Sequence, residues 1–269
     1  MFTNGGRFYI SVDLEGVACV IGEYGKGLGF DTPGYAFARG EATAEVNAAA
    51  RALYDNGASE VWVWDSHGKG YNLLYNELDS RVKIVMGAGS KKRFPLIESG
   101  FDGVLFIGYH AYDTPRAVLA HVYSSATFQY QRVNGKDVGE AQIDGAIAGK
   151  YGAPVIFVSS DDICVAQAKE TFPDAETVVT KRALAWNSCV SNHPKAVCDA
   201  IYTAVSAAAE KAGSAKPFVF EKPFEYEVRY KRIEYAESCS LVSVENKPFE
   251  RIDAYTVRGA LGDPEDIFR

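Results

Sequence analysis

Phe8-Tyr9-Ile10-Ser11-Val12-Asp13-Leu14-Glu15-Gly16 is the stretch whose reading decides the fold. Its first five residues are aromatic, β-branched or small and carry no charge, the pattern of a strand buried on both faces. Two carboxylates two residues apart follow, and on an extended backbone both project to the same side. The pattern recurs twice. Val61-Trp62-Val63-Trp64 runs into Asp65-Ser66-His67, and Val104-Leu105-Phe106-Ile107-Gly108 runs into Tyr109-His110. In one parallel sheet these runs would end at a common edge, which is where open α/β sheets bind ligands. Asp13, Glu15, His67 and His110 would then meet. Such a group must be solvated, paired or metal-bound, so packing alone does not account for it. Hard oxygen ligands with imidazoles suit zinc or another divalent first-row ion.

Outward from these runs the chain alternates strand and helix. Ala36 to Tyr54 is alanine-rich and stops at Asn56-Gly57, a helix C-terminal signal. Val82 to Met86 and Pro154 to Val158 are further strands. Thr127 to Val133 meets Asn134-Gly135, a hairpin turn signal. Glu140 opens a helix through Lys150, a second helix spans about Ile163 to Thr171, and a third runs from Pro194 to Ala212. Strands separated by helices imply right-handed crossovers. The expected class is therefore α/β, a mainly parallel sheet flanked by helices. After Ala215 the residues turn aromatic and charged. Phe218 to Phe220, Phe224 to Tyr230 and Ile252 to Val257 partly alternate with period two, as half-exposed antiparallel strands do. The expected organisation is an α/β metal-binding catalytic region over residues 1–213 and a smaller C-terminal α+β region over 214–269 that contributes to assembly.

Composition excludes several functions. The 269 residues are 47% hydrophobic, enough for a real core, and carry a formal net charge of -7. Scattered basic residues on an acidic chain argue against nucleic acid as a partner. Five cysteines without a CxxC pair fit a reduced compartment. Met1 to Arg7 lacks the apolar region of a signal peptide, and no run has transmembrane length. A cytoplasmic location and no membrane partner are the expectations.

Other polar residues admit two readings each. Asp65 could be a ligand or could orient His67. Glu140, at a helix start, reads from sequence alone as a dipole partner. His121, between apolar residues, reads as a core histidine. His193 precedes Pro194 at a helix that Ser191 or Asn192 could cap, and has no assigned chemistry. Asp161 and Asp162 could join the site, although helix capping explains them as well. Cys164, near that helix start, could have a lowered pKa. Gly25-x-Gly27-x-Gly29 does not open a helix after a strand, and Gly87 to Lys92 lacks the phosphate-loop spacing.

Taken together, Ser11 to Gly16, Asp65-Ser66-His67, Gly108-Tyr109-His110-Ala111, His121 and Val138-Gly139-Glu140 resemble the DppA-like zinc D-aminopeptidases, in the same order along the chain. The resemblance runs from about Tyr9 to the helix after Pro194. It implies two zinc ions per subunit, with Asp13 bridging both and Glu15, His67, His110 and Glu140 completing the two shells. His121 corresponds to the catalytic histidine. It also implies a ring-like homo-oligomer, for which a decamer is one form, with active sites facing an internal channel.

The expected reaction is hydrolysis of short peptides, with D-residues at the N-terminus, by a metal-bound hydroxide. Paired ions lower the pKa of bound water from 15.7 to about 7 and polarise the scissile carbonyl. His121 would stabilise the developing charge or pass a proton to the leaving amine. Two alternatives keep the site. One is a dinuclear amidase or esterase acting on a non-peptide compound. The other is a binding protein whose metal fixes the loops, which a closed coordination shell would mark.

Overall fold

The computed structural model describes residues 5–269; Met1 to Asn4, part of the stretch read above for a signal peptide, lie outside them. The elements in chain order are β1 (Arg7–Val12), α1 (Pro33–Asp55), β2 (Glu60–Asp65), β3 (Lys83–Val85), β4 (Gly103–Ile107), β5 (Phe128–Val133), β6 (Lys136–Val138), α2 (Glu140–Lys150), β7 (Val155–Asp161), α3 (Asp162–Thr171), β8 (Glu176–Ala185), β9 (Ser188–Ser191), α4 (Pro194–Lys211), β10 (Phe224–Tyr230), α5 (Ile233–Glu237), β11 (Glu250–Arg251) and β12 (Thr256–Leu261).

Seven strands form one sheet in the order β3-β2-β1-β4-β7-β8-β9, parallel except for β9, which returns antiparallel to β8. This is the α/β class that the alternating pattern predicts. Period-two alternation divides β1 between two cores. Phe8, Ile10 and Val12 pack with the alanines of α1 and with Val197, Ile201 and Val205 of α4. Tyr9 faces the other way, into a cluster with Phe106, Ile143 and Ile147. Both faces are therefore covered, and the central strands read as unbroken apolar runs for that reason.

The second sheet is antiparallel, in the order β11-β12-β10-β5-β6. Its inner face, with Val133, Tyr226, Val228 and Leu261, joins the same cluster as Tyr9 and Phe106. It draws β5 and β6 from before residue 213 and β10 to β12 from after it, so a cut at that residue divides this sheet. Turn chemistry moves two of the expected strands. Asp253 Oδ1 accepts from the N–H groups of Tyr255 and Thr256, which makes a turn where Ile252 to Val257 reads as a strand; β12 begins only at Thr256. Phe218 to Phe220 is irregular, and its aromatic rings pack on Phe172 and Phe224 instead of pairing in a ladder. Among the described residues no helix is long and apolar enough to cross a membrane.

Candidate metal centre

Strand order reverses between β1 and β4. From β1 the chain crosses to β2 and β3 on one side, and β4 then pairs on the other. A crevice at the carboxyl ends of such strands is the standard ligand site of open α/β sheets. Here the two loops leaving β1 and β4 are bonded to each other. Asp13 N donates to Ile107 O at 2.8 Å, and Gly16 N to Gly108 O at 2.7 Å. Gly108 has φ +71°, and a Cβ there would collide with the Asp13 carbonyl. Only glycine combines that conformation with that approach.

The side chains converge over this junction. His67 Nδ1 lies 2.8 Å from Asp13 Oδ1 and 3.1 Å from Glu15 Oε2. His110 Nε2 lies 3.1 Å from Glu140 Oε1 and 3.6 Å from Asp13 Oδ2. Asp13 thus presents one oxygen to each histidine. His121 stacks on His110 with ring centroids 3.9 Å apart, and its Nε2 is 4.0 Å from Glu140 Oε1. The far nitrogens are fixed by backbone carbonyls. His110 Nδ1 donates to Ala111 O at 3.0 Å and His121 Nδ1 to Leu119 O at 2.8 Å, which turns each Nε2 toward the cluster and leaves that of neutral His121 as a lone pair. Asp13, Glu15, His110 and Glu140 are all buried.

Neighbours hold these side chains in place. Arg93 Nη2 donates to Glu140 Oε2 and to Asp144 Oδ2, each at 2.9 Å, while its guanidinium lies over the rings of Trp64 and Tyr123. Tyr123 N donates to Glu140 Oε1 at 3.0 Å. Tyr109 Oη donates to Asp144 at 2.8 Å. Asp65 does not touch His67. It accepts from the backbone N–H groups of Asn72 and Leu73 and from the Asn72 amide, which in turn donates to the His67 carbonyl at 2.8 Å. Asp65 is thus linked to the His67 backbone through Asn72.

Proton affinities follow from this crowding. Burial alone would lower His110, but the Glu140 hydrogen bond and charge outweigh it and push the imidazole up to about 10. Burial likewise opposes a charged His67, yet Glu15 and Asp13 raise it well above the ordinary range. Burial would raise Glu15 and Glu140; the facing histidines win and lower both. His121 is lowered, first by burial and then by the neighbouring His110.

The remaining residues read from sequence fall outside the cluster. Asp161 caps α3 through the Cys164 N–H at 2.8 Å and also accepts from Val118 N at 2.8 Å, steadying the segment that carries His121. Asp162 accepts from Ala183 N. Burial raises the Cys164 thiol to about 12, the reverse of an activated cysteine. The cap of α4 is His193 itself, which accepts from Lys195 N, not Ser191 or Asn192. Lys26 to Gly29 of the glycine-rich loop line the cavity above the cluster, about 320 Å³, with Leu119, Trp186 and Ser124. Arg93 is the member of the site that sequence reading missed. It ends a Lys91-Lys92-Arg93 run that looks like solvated charge, and the only hint is Phe94-Pro95 directly after it.

The donor set suits divalent cations. Asp13, Glu15 and His110 form one group, and His110, His121 and Glu140 another, with ligand atoms within 4.8 Å of one another. Ligands at about 2.0–2.2 Å around a tetrahedral ion stand about 3.3 Å apart, close to the observed separations of 2.8 to 3.6 Å.

A family model described as D-aminopeptidase, peptidase M55, matches residues 7–269, so the match continues through the C-terminal sheet. A D-aminopeptidase of Bacillus subtilis (strain 168) is 30% identical over 187 residues, 66% of this chain and 64% of that relative. The match thus spans less than two thirds of the relative's length. The solved structure of the Zn-dependent D-aminopeptidase DppA from Bacillus subtilis, a self-compartmentalizing protease, aligns with a TM-score of 0.86 over 97% of this chain and 94% of that one. At 23% identity this likeness is one of fold.

Proposed function

From the premise that this chain belongs to the M55 D-aminopeptidase family, we propose that it is a dinuclear-zinc aminopeptidase acting on short peptides with an N-terminal D-residue. The observation that carries the reading is Asp13, which turns one carboxylate oxygen to His67 and the other to His110. Asp13, Glu15 and His67 would hold one ion; Asp13, His110 and Glu140 would hold the other. Bound zinc would supply an acidified water and a polarised substrate carbonyl.

The chain's own residues do the rest. His121 has its Nδ1 anchored on Leu119 O and its Nε2 directed to the cavity side of Glu140. With its proton held on Nδ1, the free Nε2 would take a proton from the attacking water and pass it to the leaving amine. Arg93 offsets part of the negative charge that Glu140 and Asp144 bring and keeps Glu140 in one rotamer. Leu119, Trp186 and Leu28 give the cavity apolar walls, and its 320 Å³ lies at the small end of ligand pockets, which suits a short peptide. As for assembly, the self-compartmentalizing relative supports a homo-oligomer, with a decameric ring as the finer form of the proposal.

Metal analysis of the purified protein, paired with hydrolysis of matched D- and L-aminoacyl peptides, tests the reading. Two zinc ions per chain and preferential release of the D-residue are expected. A metal-free protein that still hydrolyses peptides would overturn it.

A further inference from the structure

Lys181 lies in the middle of β8 and is wholly buried. Its ammonium sits against the loop that follows β1. Nζ donates to Glu15 O at 2.5 Å, to Val17 O at 2.8 Å and to Val20 O at 2.7 Å. An ammonium has three N–H donors, and all three are used on this single loop. The loop is buried from Leu14 through Ala18, so solvent does not satisfy its carbonyls. The opposite polarity comes from α1, where buried Glu45 accepts from Ala18 N at 2.9 Å. Thr180, beside Lys181, donates to Gly16 O at 2.5 Å.

The loop after β1 is therefore clamped by side chains from β8 and α1. It needs this because it makes few ladder or helix bonds of its own past Gly16. A buried lysine is costly to desolvate, and a methionine of similar length would fill the volume without that cost. What the methionine could not do is hold Glu15. The carbonyl nearest the ammonium belongs to the residue whose carboxylate faces His67 at 3.1 Å.

We propose that Lys181 is a positioning residue of the metal centre: it fixes the Glu15 backbone and so sets the Glu15 carboxylate within the Asp13–Glu15–His67 half of the site. The inference rests on Glu15 being a zinc ligand, as read above. It goes beyond that reading by tying one half of the site to a strand that carries no ligand.

Lys181→Met in the full-length chain tests it, with zinc affinity measured by chelator competition and unfolding temperature measured with and without zinc. One of the two zinc ions should bind about 10–100-fold more weakly, as when an outer-shell partner is lost, and the other should stay within about twofold. Hydrolysis should recover as zinc is raised. A residue that only supports the fold would lower the unfolding temperature equally with and without zinc and leave both affinities unchanged; that result overturns the proposal. Should Lys181→Met fail to fold, Lys181→Gln keeps an N–H donor and is read the same way. Failure of both variants to fold assigns the residue to the fold and overturns the proposal too. If the unmodified chain binds no zinc, the metal reading itself falls and takes this one with it. Unmodified protein that binds two ions beside an unaltered Lys181→Met sinks the positioning role alone.

Discussion

The two halves of the candidate centre are built in different ways. Asp13, Glu15 and His67 hang on the ends of neighbouring parallel strands, and backbone bonds between β1, β2 and β4 fix where they start. Glu140 and His121 come from connecting segments: the first residue of α2, entered from the hairpin of the second sheet, and an irregular stretch before β5. On that side placement depends on side chains, with Arg93, Asp144 and Tyr109 bracing Glu140. A parallel sheet therefore offers a ligand platform through its topology, whereas the second half must be assembled residue by residue. Asp13 links the two halves, with one oxygen toward His67 and the other toward His110 at the end of β4.

The His110 side of that junction gives the largest expected effect. His110→Ala removes a donor from the Asp13–His110–Glu140 shell, so zinc content should fall from two ions toward one and peptide hydrolysis should drop to background. Metal analysis alongside a rate measurement reads both at once. A variant that keeps two ions and full rate would remove His110 from the centre and break the division into halves.

His121 belongs to only one group and has its Nδ1 committed to a backbone carbonyl. As a proton shuttle it should be worth about 10²–10⁴-fold in kcat. His121→Ala should therefore lose that much turnover while its zinc content matches the unmodified chain. Loss of one ion in step with the rate would instead make His121 a ligand and sharpen the comparison in the other direction.

How much of this is visible in the sequence follows the same divide. β1, β2, β4 and β7 are legible because strands buried on both faces need unbroken apolar runs, and the candidate ligands sit directly after the first three. α2 is legible at both ends because Asn134-Gly135 and Gly139 precede it and Gly152 follows. β8 is not, because Glu176-Thr177-Val178-Val179-Thr180-Lys181-Arg182 reads as a mixed surface segment. Nothing local announces that Lys181 is buried, since its three partners lie more than 160 residues earlier. Arg93 is hidden likewise by its basic neighbours. Glu140 and His121 carried no chemistry of their own from sequence, and only resemblance singled them out. In the second sheet the Asn134-Gly135 hairpin and the strand Phe224 to Tyr230 are legible, but their pairing is not, because the hairpin meets strands about 90 residues downstream, as Tyr226 does with Val133.

The smallest effect concerns the support of the parallel-sheet half. Glu45 is wholly buried on α1, its Oε1 takes the Ala18 N–H, and its Oε2 has no partner. Burial, opposed by the Ala18 bond and Lys181, raises this carboxyl from 4.5 to about 7. The sign follows from proton linkage. Between those values the native chain keeps a proton that the unfolded chain has released, so the native state is favoured at low pH and loses that advantage as pH rises to about 7. Glu45→Gln cannot ionise, yet it keeps an acceptor for Ala18. The variant should nearly match the unmodified chain near pH 4.5 and become more stable by about 3 kcal/mol near pH 8, since each unit of pKa shift is about 1.4 kcal/mol. Urea unfolding of the metal-free proteins across that range reads the difference. If the gap stays flat with pH, the ammonium of Lys181 already compensates a charged Glu45. The loop after β1 would then be clamped by an ion pair, and the platform half would depend on paired side-chain charges as much as the braced half does.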